Sequence, residues 1–115
     1  MDEKVAMTDK IVVFCACGSD REARRISEAL IEMRLAACVT ILPKVQSVYR
    51  WKGAIERSEE FLLIIKSSRG IFERLRVEIA RLHSYQVPEV LALPVVDGAA
   101  SYLQWMTQEL GPTAS

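Results

Sequence analysis

Between Ala37 and Lys66 apolar residues recur on both sides of a single turn pair, Lys52-Gly53, in the run ACVTILPKVQSVYRWKGAIERSEEFLLIIK. Glycine at the second turn position supplies the positive φ that a tight hairpin needs. The pattern predicts one β-hairpin with arms of about 14 residues, roughly 45 Å at the usual strand rise. A domain of this length is about 35 Å across. Either the arms bend, or the tip projects beyond its own domain. Tyr49, Trp51 and Ile55 lie near that tip, and an exposed apolar tip is a hazard unless another chain covers it. The hairpin therefore predicts self-association. Within the first arm Val45, Ser47, Tyr49 and Trp51 share one face, and Gln46, Val48 and Arg50 the other. Pro43 has no amide proton, so it marks an edge, a bulge or a bend.

The flanking segments are shorter. Ile11 to Cys17 is almost wholly apolar, which suits a central strand buried on both faces. Ser19 and Glu22 form a capping box, and Ala23, Ile26, Leu30 and Met33 then recur at helical spacing. Phe61 to Ile65 is unbroken apolar and predicts a buried return arm. Ser67 or Ser68 is placed to cap a second helix with the stripe Phe72, Leu75, Ile79 and Leu82. His83 to Glu89 reads as a loop, because Pro88 biases Val87 away from helix. Val90 to Val96 predicts a strand that Pro94 confines to an edge or ends early. A last helix is expected from Asp97-Gly98 to Leu110, packing through Tyr102, Trp105 and Met106, with Gly111-Pro112 as its stop. The order is β-α-β-β-α-β plus a helix. Two split βαβ units of this kind predict an α+β fold, a ferredoxin-like sandwich with a long β2–β3 hairpin and an extra C-terminal helix. One domain is expected over residues 10–110, with flexible ends at 1–9 and 111–115.

Composition narrows the function classes. Fifteen basic and fifteen acidic residues leave a formal charge of zero, so there is no electrostatic case for nucleic acid or a membrane surface as partner. No apolar run approaches a membrane span. The N-terminal segment lacks a cleavage pattern, and a cytoplasmic protein is expected. Three cysteines, Cys15, Cys17 and Cys38, do not suggest a disulfide framework. No Ser-His-Asp signature, Cys-His couple or phosphate-cradling loop is evident, so no enzyme is expected. An RNA platform on the third strand is also absent, since FLLII is aliphatic after Phe61.

The stretch RLAACVTILPKVQSVYRWKGAIERSEEFLLIIKSS, followed by LHSYQVPEVLALPV and YLQWM, resembles the CutA family of divalent-cation tolerance proteins. The likeness runs from about Ile11 to Trp105, with its motifs in family order and spacing. It implies a tight homotrimer in which each long hairpin extends a neighbour's sheet, and a cytosolic role linked to copper and other divalent metals. Cys38 falls on the family cysteine of AACV, Cys15 on a first-strand cysteine of some members, and His83 on the histidine that opens an HPYxxPE-type loop. Tyr49, Trp51, Glu60, Tyr85, Pro88, Glu89, Tyr102 and Trp105 also fall on signature positions. Ser84 stands where a proline is common, and the second helix lacks a cysteine that some members carry.

Each candidate has two readings. Cys15 and Cys17, two apart on a strand, face the same way roughly 7 Å apart, as core thiols or as ligands for a thiophilic ion. Cys38 is a copper(I) thiolate or a buried thiol. His83 is a cap at a helix C-terminus, where the dipole favours its charged form, or a metal ligand completed by a neighbouring subunit. Cys15, Cys38 and His83 are thus the expected metal ligands, for copper or another divalent ion. Tyr49, Trp51, Tyr85, Glu89, Tyr102 and Trp105 either pack or wall an intersubunit cleft, with Lys66 and Arg50 as counter-charges for a small anion or organic ligand. The function expected is metal tolerance through direct binding by a homotrimer. The alternative is a trimeric regulatory or scaffold module with a small-molecule cleft, a plan shared in architecture with signal proteins of the PII type.

Overall fold

The computed structural model describes residues 7–112; the first six and last three residues lie outside it. The chain forms β1 (Lys10–Cys17), α1 (Asp20–Glu32), β2 (Cys38–Trp51), β3 (Ala54–Ser68), α2 (Phe72–Leu82), β4 (Leu91–Pro94) and α3 (Ala100–Glu109). The four strands make one antiparallel sheet in the order β2-β3-β1-β4. This is the ferredoxin-like arrangement that the hydrophobic pattern predicts.

One sheet face carries Ile11, Val13, Cys15 and Cys17 of β1 with Leu63 and Ile65 of β3, all at most 3% exposed. They pack against Ala23, Ile26 and Leu30 of α1 and Leu75 and Ile79 of α2. Their period of two on the strands and three to four on the helices is the pattern read from the sequence. Met33 departs from it. It is the C-cap residue of α1 and is exposed, because the helix ends before it can face the sheet. The other sheet face carries Val12, Phe14, Leu62 and Ile64, only partly buried, and Leu42, Leu91 and Leu93, which are exposed.

The hairpin turns at Lys52 and Gly53, with φ of 50° and 84°. Two central residues in this region give the turn whose twist matches its flanking strands. Pro43 and Lys44 together oppose Phe61, a two-against-one bulge between Leu42 and Val45. Lys44 takes φ of 58° there. Beyond the bulge both faces of the ribbon are bare. Val48, Tyr49, Trp51 and Ile55 are between 41% and 63% exposed. The molecule measures 47 × 36 × 25 Å, with a radius of gyration of 15.4 Å. A compact chain of this length has about 13 Å, so the hairpin does project.

Several local expectations change. Ser67 and Ser68 both belong to β3. The Ser67 hydroxyl donates to the Leu35 carbonyl at 2.7 Å, and Ser68 makes no side-chain cap. A 3-10 turn, Arg69–Ile71, starts α2 instead. β4 is four residues long rather than seven and lies at a sheet edge, as Pro94 requires. α3 begins at Ala100, because the Asp97 carboxylate accepts from the Gly98 amide and holds that pair outside the helix. Its core contacts are Leu103, Met106 and Leu110; Tyr102 and Trp105 remain exposed. Thr8 donates to the Val95 carbonyl, and the Gly111 amide donates to the Arg34 carbonyl.

Candidate functional site

Residues at the end of β1 and the start of the α2–β4 loop meet beneath the helices. The sulfurs of Cys15 and Cys17 and a ring nitrogen of His83 all lie within 4.8 Å of one another. That is closer than the 7 Å expected for the two thiols. Hydrogen bonding to Cys17 and burial push the Cys15 thiol far above the ordinary range. Cys15 is therefore no activated nucleophile.

His83 is the C-cap of α2, its amide bonded to the Ile79 carbonyl. Its ring turns inward rather than into solvent. Nε2 lies 2.8 Å from the Ala16 carbonyl oxygen, and Nδ1 accepts from the Tyr85 amide at 3.1 Å. The carbonyl can only accept, so Nε2 carries the proton. Both ring nitrogens are thus engaged within the fold.

Glu22 holds this loop. It is 8% exposed. One carboxylate oxygen accepts from the Gly18 amide at 3.4 Å, and the other from the Ser84 amide at 2.7 Å. Half of the capping box is present, with the Ser19 hydroxyl accepting from the Glu22 amide; the glutamate accepts from Gly18 rather than from the Ser19 amide, and it also reaches 62 residues along the chain. Burial opposes its charge, yet hydrogen bonds from Ser84 and Gly18 bring its pKa below the ordinary value. No local pattern announces this role.

Tyr85 follows. Its ring lies over Gly18, where an added Cβ would come within 3.1 Å of the phenol oxygen. The phenol donates to Glu60 Oε2 at 2.6 Å. Desolvation, and then this bond to Glu60, push the Tyr85 pKa well up. Beyond it opens a cavity of about 610 Å³ on the bare sheet face, lined among others by Tyr49, Trp51, Glu60, Tyr85 and Glu89. Desolvation, with the Glu60 charge second, raises the pKa of Glu89.

Cys38 lies elsewhere. It pairs with Lys66 across the ladder on the bare sheet face, whereas Cys15 and Cys17 face the helices. Lys66 Nζ is 3.6 Å from the Cys38 sulfur and donates to Thr40 at 2.9 Å. Tyr102 sits beside this thiol, its pKa raised by desolvation first and Cys38 second, and its ring stacks on Trp105 at 5.4 Å. Within one chain the expected trio Cys15, Cys38 and His83 is therefore divided, and Cys17 completes the cluster. The expected cleft is divided as well. Tyr49, Trp51, Tyr85 and Glu89 share one cavity, while Lys66, Tyr102 and Trp105 form a second group near Cys38. Arg50 turns to the hairpin tip, toward the Gly53 carbonyl.

The model of the family described as CutA1 divalent ion tolerance protein matches residues 11–109. This chain belongs to the CutA1 family. It is 42% identical over 100 residues to the divalent-cation tolerance protein CutA of Thermus thermophilus, covering 87% of this chain and 97% of that one. Identity to human protein CutA is also 42%, over 83% of this chain and 53% of the human protein. The chain thus spans nearly all of the bacterial relative and about half of the human one. Among solved structures, CutA1 of Thermus thermophilus superposes with a TM-score of 0.87 at 41% identity, over 89% of this chain and 99% of that one. CutA1 of Oryza sativa gives 0.90 at 34% identity, over 93% and 98%. No helix among the described residues is long and apolar enough to cross a membrane.

Proposed function

We propose that this chain acts in divalent-cation tolerance as a cytosolic homotrimer, by binding metal directly rather than by catalysis. The observation that carries the metal reading is the meeting of two thiols and an imidazole within 4.8 Å. Two soft sulfurs and one nitrogen suit copper(I). The ligand types fit, and binding would require change. Cys15 and Cys17 would lose protons to the solvent, and a nitrogen of His83 would leave its present partner. The metal is cargo here. The trimer reading rests on the bare hairpin tip and the apolar open face of the sheet, which a single chain leaves in water.

The test is an anaerobic copper(I) competition titration of the fully reduced protein, with copper(II) in parallel. Saturable binding is expected, weakened by Cys15→Ser and by Cys17→Ser. Cys38→Ser distinguishes the two thiol locations. Binding lost only in that variant would move the site to the open face and sink the cluster.

The cavity favours a second reading, a module that binds a small organic molecule there. Its volume is within the usual range for ligand pockets, and its walls combine aromatic rings with a few polar groups. Thermal shifts with organic ligands, and none with metals, would select this reading over the first.

A further inference from the structure

The two nitrogens of His83 face different surroundings. Nε2 lies against the Ala16 carbonyl, on the strand that carries Cys15 and Cys17. Nδ1 lies beside the Tyr85 amide at 3.1 Å and Glu22 Oε2 at 3.8 Å. The nitrogen aimed at the thiol-bearing strand is therefore Nε2, and it carries the proton. A ligating nitrogen must present a lone pair, so a neutral ring that ligates through Nε2 keeps its proton on Nδ1. The present partner of Nδ1 is an N–H donor and cannot accept that proton. Glu22 can, and among the described residues it is the carboxylate beside the ring. Its Oε2 receives the Ser84 amide at 2.7 Å and has a second lone pair for another donor. The side chains of His83 and Glu22 are 0% and 9% exposed, and both thiols are fully buried against the helices. The chain itself closes this cluster, whatever covers the open sheet face.

We propose that Glu22 is the positioning residue of this metal site, accepting the Nδ1 proton of His83 while Nε2 turns to the metal. The proposal rests on the metal reading above and adds the residue that orients the imidazole. The ring keeps one proton throughout: Nε2 releases one to water and Nδ1 takes one up. Nε2 gives up the Ala16 carbonyl, and Nδ1 gives up the Tyr85 amide. Closing the gap between Nδ1 and Oε2 by about 1 Å makes an ordinary hydrogen bond. A carboxylate behind a ligating imidazole fixes its tautomer and orientation and raises its basicity. Glu22 is itself held for this task. It stands in the first turn of α1, and the Gly18 and Ser84 amides bind one oxygen each. An acceptor fixed at both oxygens does not have to be ordered when the ring turns to it.

The test starts with the parent chain and needs no variant. Nitrogen-15 NMR of the His83 ring should place the proton on Nε2 in the reduced, metal-free protein and on Nδ1 after equimolar copper(I) is added anaerobically. A ring that keeps its proton on Nε2 in the loaded protein overturns the assignment. A double-mutant cycle, read by copper(I) competition titration, then separates orientation from general support of the fold. Glu22→Ala should weaken binding about ten-fold, the usual effect of removing the acceptor behind a ligating histidine. Glu22→Gln keeps an acceptor oxygen without the charge and should recover part of that loss. In a His83→Ala background Glu22→Ala should change the affinity little, because Glu22 acts through the ring. An equal loss in both backgrounds, or no loss in the parent background, overturns the assignment. If copper(I) binding depends on Cys15 and Cys17 while these outcomes go against Glu22, the assignment falls alone. If the parent chain does not bind copper(I), the metal reading falls and the assignment with it.

Discussion

Glu22 shows how one side chain can join distant parts of the site. Its carboxylate receives Gly18 and Ser84, so it ties the start of α1 to the loop that carries His83 and Tyr85. Glu22→Ala is expected to destabilise the protein by about 1 kcal/mol, since two part-buried amides lose an acceptor. Hydrogen exchange at Ser84, measured in parallel, should quicken more than exchange in the core strands. The lowered pKa of Glu22 fixes the sign of its pH dependence. A carboxyl lowered on folding contributes stability above its unfolded value, near 4.5, and loses that contribution as pH falls through its folded value. The His83 loop should therefore loosen in acid below that range, and Glu22→Gln should remove this acid dependence. Gly18→Ala tests the neighbouring contact. The added methyl group meets the Tyr85 ring and should displace it from Glu60, seen as a lowered Tyr85 pKa in an ultraviolet titration.

At the scale of the element, the hairpin depends on three residues held at positive φ, Lys44 in the bulge and Lys52 and Gly53 in the turn. A lysine in this region costs about 1 kcal/mol relative to glycine. Lys44→Gly should therefore be neutral or slightly stabilising. Lys44→Val should cost more, because a β-branched side chain is poorly tolerated there. Denaturant melts of the two variants would check the ordering, and equal midpoints would show that the bulge relaxes in solution. The bulge also has a positional role. It shifts the register between Leu42 and Val45, so Glu60 pairs with Val45 and comes to lie at the cavity. Pro43 marks this break in the sequence, but it does not say which partner residues the shift selects.

For the whole molecule, the consequential feature is what one chain leaves uncovered. Tyr49, Trp51 and Ile55 at the tip, and Leu42, Leu91 and Leu93 on the open sheet face, are exposed apolar side chains. Light scattering at micromolar concentration should give a three-chain mass, and Trp51→Ala should lower it or make it depend on concentration. Melting temperature should rise with protein concentration, as it does when association contributes to stability. An unchanged mass and melting temperature in Trp51→Ala would remove the tip from the interface.

Much of the fold was legible along the chain, because hydrophobic periodicity and turn chemistry are local. The hairpin, its Lys52-Gly53 turn and the helix-facing core of β1, α1 and α2 follow directly from spacing. The irregularity at Pro43 was legible as a broken ladder, and the His83 loop from Pro88. The family likeness rests on those same motifs. The site was legible only as a set of residue types. Whether Cys17 or Cys38 joins Cys15 and His83 depends on which sheet face each occupies, and residue types alone do not assign that. The inward turn of His83 depends on a carbonyl 67 residues away. The gathering of Glu60, Glu89 and Tyr85 around one cavity arises where β3 and the α2–β4 loop meet. Local spacing determined the elements, and tertiary structure decided the chemistry, because contacts across the sheet join residues that no local pattern relates.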